Sequence, residues 1–148
     1  MKMSYEARYE KLFREMGIEL SVEDGCSAET IVDCEERLGR RLPEALRDYY
    51  AKVGKHPINR AHNRLVDLSE LNFLGDYLAF LEENQNIALW GVTRTGLDEV
   101  DPIVWQGENS TPVVWQSEGL PLSAFMEISL YWQAACGGLE FAGTATEL

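Results

Sequence analysis

Cys26, Cys34, Cys136, His56 and His62 are the thiols and imidazoles of this chain, and they set the limits of what chemistry it can do. A zinc site of Cys and His draws four ligands from closely spaced pairs. Here there is no CxxC pair, the cysteines are odd in number, and the two histidines stand six residues apart in a loop-like stretch. Reduced, packed thiols follow from that pattern. Nucleophilic catalysis would need one of those histidines to meet a serine or cysteine, and neither a nucleophile elbow nor a catalytic-cysteine motif is present. Glu82 and Glu83 are neighbours, so on a helix they would diverge by about 100° and could not face each other as acid and base. Asp98-Glu99-Val100-Asp101 lacks the spacing of a calcium loop, and there is no glycine-rich phosphate loop. No catalytic, cofactor-binding or metal-ligating residue is assigned. The expectation is a binding protein, with an unrecognised hydrolase as the third-ranked reading.

Charge carries more information. The net charge is −12, and it is unevenly placed: residues 1–64 hold 12 acidic and 12 basic residues, while residues 65–148 hold 13 acidic residues against the single Arg94. A field of that sign repels nucleic acid and anionic membrane and favours a basic protein partner, although solubility alone would also account for it. The carboxylates with almost no cationic neighbours in sequence are Asp67, Asp76, Glu82, Glu83, Asp98, Glu99, Asp101 and Glu108. Affinity also requires a desolvated anchor, for which Trp105 and Trp115, with Trp90, are candidates; a core role is open for each. The hairpin bearing Trp105 and Trp115, together with the Asp98–Asp101 loop, is the expected acidic binding face.

These residues must be positioned by a fold of 148 residues, enough for one domain with a real core. An apolar fraction of 45% argues against disorder, and no apolar run approaches the ~20 residues of a membrane span. The N-terminus lacks a secretion signal, so a cytoplasmic location is expected. Tyr5, Tyr9, Leu12, Phe13 and Met16 recur at helical spacing between Ser4 as cap and Gly17 as stop. A second helix begins at Asp24 or Ser27, carries Ile31, Cys34 and Leu38, and ends at Gly39; a third starts at Pro43 and ends at Gly54. Lys55 to Arg64 reads as an exposed basic loop, the one patch able to hold an anion. Leu65–Leu68 reads as a short edge strand, and Leu74, Tyr77, Leu78 and Leu81 as a helix ended by Glu82-Glu83-Asn84. Ile87 to Val92 has no polar face, which predicts a central strand covered on both sides. Pro102-Ile103-Val104-Trp105-Gln106 is echoed by Pro112-Val113-Val114-Trp115-Gln116 around a polar turn, the pattern of an antiparallel hairpin. A last helix begins at Pro121, packs broadly on the sheet, and ends at Gly137-Gly138. The fold class is therefore α+β, with an antiparallel central sheet flanked by N-terminal helices and a C-terminal helix.

Leu38-Gly39 with Leu42-Pro43, Tyr49-Tyr50 with Gly54, Glu83-Asn84-Gln85, Trp90-Gly91-Val92, Asp101-Pro102-Ile103-Val104 and Gly137-Gly138-Leu139 occur in the order seen in the SUKH superfamily. The chain resembles that family from about Ser27 to Gly143. Ile103 departs from it, standing where many relatives carry a second proline. The resemblance implies a bacterial immunity protein that binds and neutralises a cognate toxin of a contact-dependent or polymorphic toxin system, often a nuclease. The alternative it leaves is a regulatory protein-interaction scaffold, since fungal cell-wall regulators share the family. Such a protein would act as a monomer or homodimer, without a cofactor.

Overall fold

A computed structural model describes residues 3–137 of the chain. Three helices come first: α1 (Tyr5–Glu15), α2 (Ala28–Leu38) and α3 (Glu44–Val53). Their ends follow local chemistry. Ser4 Oγ accepts the Ala7 N–H at 3.1 Å and Ser27 Oγ accepts the Thr30 N–H at 3.1 Å, each satisfying an orphan donor of a first turn. Gly39 closes α2 with φ of 71°, a left-handed value that glycine adopts without strain. Pro43 stands one residue ahead of α3, in the cap position.

The sheet comprises β1 (Arg64–Leu65), β2 (Asn72–Leu74), β3 (Tyr77–Glu82), β4 (Ala88–Thr93), β5 (Ile103–Glu108) and β6 (Val114–Pro121). All pairings are antiparallel in the order β1-β3-β4-β5-β6, and β2 shares the outer edge of β3 with β1. The strand read as the hub is β4, the middle of that order. Ile87 lies just outside it and is exposed. The Trp105 and Trp115 runs form neighbouring strands, with Trp105 opposite Ser117 and Gly107 opposite Trp115. Last comes α4 (Leu122–Ala135), with Pro121 at its cap.

Three expectations are corrected. Leu74 to Leu81 is a hairpin, not a helix: Leu74 pairs with Tyr77 across the two-residue loop Gly75-Asp76, with Gly75 at φ 62° in the position a type II′ turn reserves for glycine. A bulge between Ala79 and Leu81 turns both Phe80 and Leu81 inward, so the buried set imitates helical spacing. Glu82 and Glu83 thus end a strand, and the turn they enter joins β3 to β4. Second, residues 55–64 are not an exposed loop. His56, Ile58, Asn59 and Asn63 are buried around a short 3-10 turn over Pro57–Arg60. Gln133 of α4 satisfies their backbone, donating to the carbonyls of Ile58 and Asn63 at 2.8 and 2.7 Å and accepting the Asn63 N–H at 2.8 Å. Third, α4 packs on the sheet through Phe125 and buries Met126 and Leu130, but Ile128, Tyr131 and Trp132 are 48–57% exposed. Of the expected helix stop, Gly137 follows α4 and Gly138 lies outside the described residues, as does Leu139.

Tyr9, Tyr49 and Tyr50 are the largest side chains of the helical core and are fully buried. Burial raises the pKa of each hydroxyl, so all three remain protonated donors. Tyr9 donates to the Ala45 carbonyl at 2.8 Å, Tyr49 to Asn59 Oδ1 and Tyr50 to the Val66 carbonyl. Cys34 is buried and Cys26 half-buried, and burial raises both thiol pKa values, as expected of inert packed cysteines. Cys136 departs from that expectation and is exposed. No helix among the described residues is long and apolar enough to cross a membrane.

Candidate partner-binding surface

Antiparallel pairing fixes which side chains share a face of the sheet. Leu78 pairs with Val92, Leu81 with Trp90, Trp90 with Gln106 and Gln106 with Gln116, so these lie on one face. That face meets α4, where the Phe125 ring stands 6.1 Å from Phe80 and 5.9 Å from Trp90. Tyr77 pairs with Thr93, Ala79 with Gly91, Gly91 with Trp105, and Trp105 with Ser117, which places these on the other face, with Trp115.

On this second face three aromatic rings form a platform. Tyr77 and Trp115 stack with centroids 4.0 Å apart and planes 11° from parallel. Trp105 meets the Tyr77 ring at 5.9 Å and 64°. Glycine makes the space: a Cβ at Gly107 would lie 2.9 Å from the Trp115 ring, so the indole can lie flat over β5 only because position 107 has no side chain. All three aromatic residues are half-buried, and Ile103, Leu74 and Ser117 beside them are exposed. Trp90, the third tryptophan considered as an anchor, instead faces α4 and donates its Nε1–H to Glu118 Oε2 at 2.8 Å.

The eight carboxylates do not gather beside the platform. Asp67 pairs with Arg60 at 2.7 Å, Glu82 with Arg64 at 2.6 Å and Asp98 with Arg40 at 3.1 Å. Sequence distance hid these cations, all of which come from the balanced first half of the chain. Asp101 is committed to α4, accepting the Ser123 N–H at 2.8 Å and its Oγ–H at 2.6 Å. Pro121 has no side chain that could cap that helix, and Asp101 supplies the missing acceptor and a negative charge from a remote loop. Glu83 Oε1 accepts the N–H groups of Gln85 and Ile87 at 3.2 and 3.0 Å and holds the β3–β4 turn. Asp76, Glu99 and Glu108 have no side-chain hydrogen bond or ion pair among the described residues. Asp76 adjoins Tyr77 of the platform, whereas Glu108 projects from the α4 face, opposite Ala88.

Within the basic stretch Arg60 and Arg64 are both engaged by carboxylates, the latter by Glu70 and Glu82 together. His56 Nδ1 accepts the Ile58 N–H at 3.1 Å, and burial lowers the imidazole pKa. Among the described residues no group of three His, Cys, Asp or Glu side chains is placed to hold a metal ion. No family model, curated protein or solved structure matches this chain.

Proposed function

We propose that the chain is a protein-binding module of the immunity type, one that occludes a basic bacterial toxin by contact and performs no turnover. The observation that carries this reading is the aromatic platform: Tyr77, Trp105 and Trp115 stand half-buried on the antiparallel sheet, on the face that α4 leaves uncovered. Binding energy concentrates in such aromatic groups when a partner desolvates them. The resemblance to the SUKH superfamily supplies the class of partner, and the net charge of −12 supplies its sign. Long-range attraction to a basic toxin would raise the association rate roughly 10- to 10³-fold and fade as salt rises. Asp76 directly precedes the strand that bears Tyr77, and the ion-paired Glu82 is that strand's last residue. The Asp98–Asp101 loop contributes mainly field, because Asp98 and Asp101 already have partners.

The test is rescue of growth. Cells producing the toxin encoded beside this gene should survive when the chain is supplied, and a Tyr77→Ala/Trp115→Ala variant that still folds should fail to protect. Growth arrest unrelieved by the native chain, with no complex detectable between the two purified proteins, would sink this reading.

A further inference from the structure

On the α4 side of the sheet, a groove of about 340 Å³ runs between that helix and strands β3 and β4. Its apolar walls are Leu81, Trp90, Phe125, Ile128 and Trp132. Ile128 and Trp132 are 56% and 57% exposed, so water covers a surface that apolar contact would otherwise claim. A volume at the low end of the ~300–1,000 Å³ typical of ligand pockets suits a few anchoring side chains better than a bulky cofactor. Glu83 and Glu118 stand in the lining, with His62 set edge-on to Trp132 at 6.3 Å and no lysine or arginine present.

Both carboxylates are held in place. Trp90 Nε1–H fixes Glu118 through Oε2, and the Gln85 and Ile87 N–H groups fix Glu83 through Oε1. In each case the second oxygen has no hydrogen-bond partner among the described residues, and neither group is in an ion pair there. Two immobilised anions beside an apolar trough complement a segment whose cations flank an apolar stripe. We infer that this groove docks a basic amphipathic segment of a partner protein, its apolar side chains along Trp90, Ile128 and Trp132 and its lysine or arginine on Glu83 and Glu118. An acidic or wholly apolar occupant would strip water from the carboxylates without replacing it. Residues 138–148 of the chain itself bring Leu139 and Phe141 but also Glu140 and Glu147, the wrong sign for this rim. The groove opens on the face opposite Trp105 and Trp115, and the inference stands apart from the toxin reading.

The probe is a short synthetic peptide of leucine and lysine with amphipathic helical spacing, titrated into the full chain while the indole and backbone amide signals are followed by NMR. Saturable shifts at Trp90 and Trp132 are expected. Affinity should fall roughly tenfold in the Glu83→Gln/Glu118→Gln variant, whose amide oxygens still accept the same hydrogen bonds. A peptide with glutamate in place of lysine should leave the signals unmoved. The inference is overturned by no binding, by equal binding of both peptides, by an undiminished affinity in the double variant, or by shifts centred on Tyr77 and Trp115. It is overturned equally if the lysine peptide enters only after Leu139→Ser/Phe141→Ser, which would make the chain's own tail the occupant.

Discussion

On the α4 side of the sheet Phe80 is fully buried and meets Phe125 edge-on, whereas on the other side Tyr77 and Trp115 lie flat on each other and remain half-buried. Both sides are rich in aromatic rings; what differs is who their neighbours are. The covered side takes its neighbours from α4, which sets a ring of its own against Phe80 and Trp90. The uncovered side pairs aromatic residues with one another and uses glycine to lay an indole flat. Rings that only stack on each other hold their shape yet keep one surface for a partner, so residues can be spent on recognition with little loss of stability.

Substitutions on the two faces should therefore diverge, and the sharpest contrast comes from the covered one. Phe80→Ala should cost about 3–5 kcal/mol in urea denaturation, since a fully enclosed ring leaves a cavity. Gln133→Leu should cost about 2–3 kcal/mol, because two carbonyls and one N–H in the 58–63 segment lose their buried partner. Gly107→Ala moves the contest to the uncovered face. A Cβ there collides with Trp115, and about 1–3 kcal/mol is expected together with loss of the Tyr77–Trp115 exciton signal in near-ultraviolet circular dichroism. Tyr77→Leu should cost only about 1 kcal/mol while removing partner binding; a loss as large as that of Phe80→Ala would mean that the platform is core and erase the contrast.

The smallest effect is set by pH. The folded pKa of His56 is lowered by burial, so between the unfolded value of about 6.5 and the folded value the unfolded chain binds more protons. Its contribution is fully present above pH 6.5 and is lost as pH falls toward the folded pKa, where protonated Nδ1 can no longer accept the Ile58 N–H. His56→Asn keeps a capping acceptor and should flatten that slope in thermal melts recorded across the window.

The sequence was legible where one local signal governed the outcome. Ser4 and Ser27 delimit helices through their own hydroxyls and Gly39 through its left-handed backbone, and the doubled Val-Trp-Gln run announces its hairpin. It misled where a buried set was shared between local and distant causes. The bulge that turns Phe80 and Leu81 inward produces a helical spacing within a strand, and Gly75-Asp76 was the overlooked turn signal. Charge separation along the chain was real, but Arg40, Arg60 and Arg64 return across it in space. Trp90 and Trp105 carry the same residue type on facing strands, and only register assigns one to α4 and the other to the opposite face. Nothing local marks Gln133 as the staple of a segment 70 residues earlier; a lone glutamine among the apolar positions of α4 was the one available hint.

The order of strands has a consequence for how the chain acquires its shape. From β2 onward each strand pairs with the next one made, across short connections, so the sheet can zip in the direction of synthesis with little loop to close at any step. The three N-terminal helices pack on one another, with α3 touching both α1 and α2. It is α4 that contacts α1 and α3 on one side and β5 and β6 on the other. A nascent chain halted before residue 122 would hold a meander and a helical cluster with no wedge between them. Ribosome-stalled chains should thus gain force-resisting structure late and abruptly, once α4 has cleared the exit tunnel.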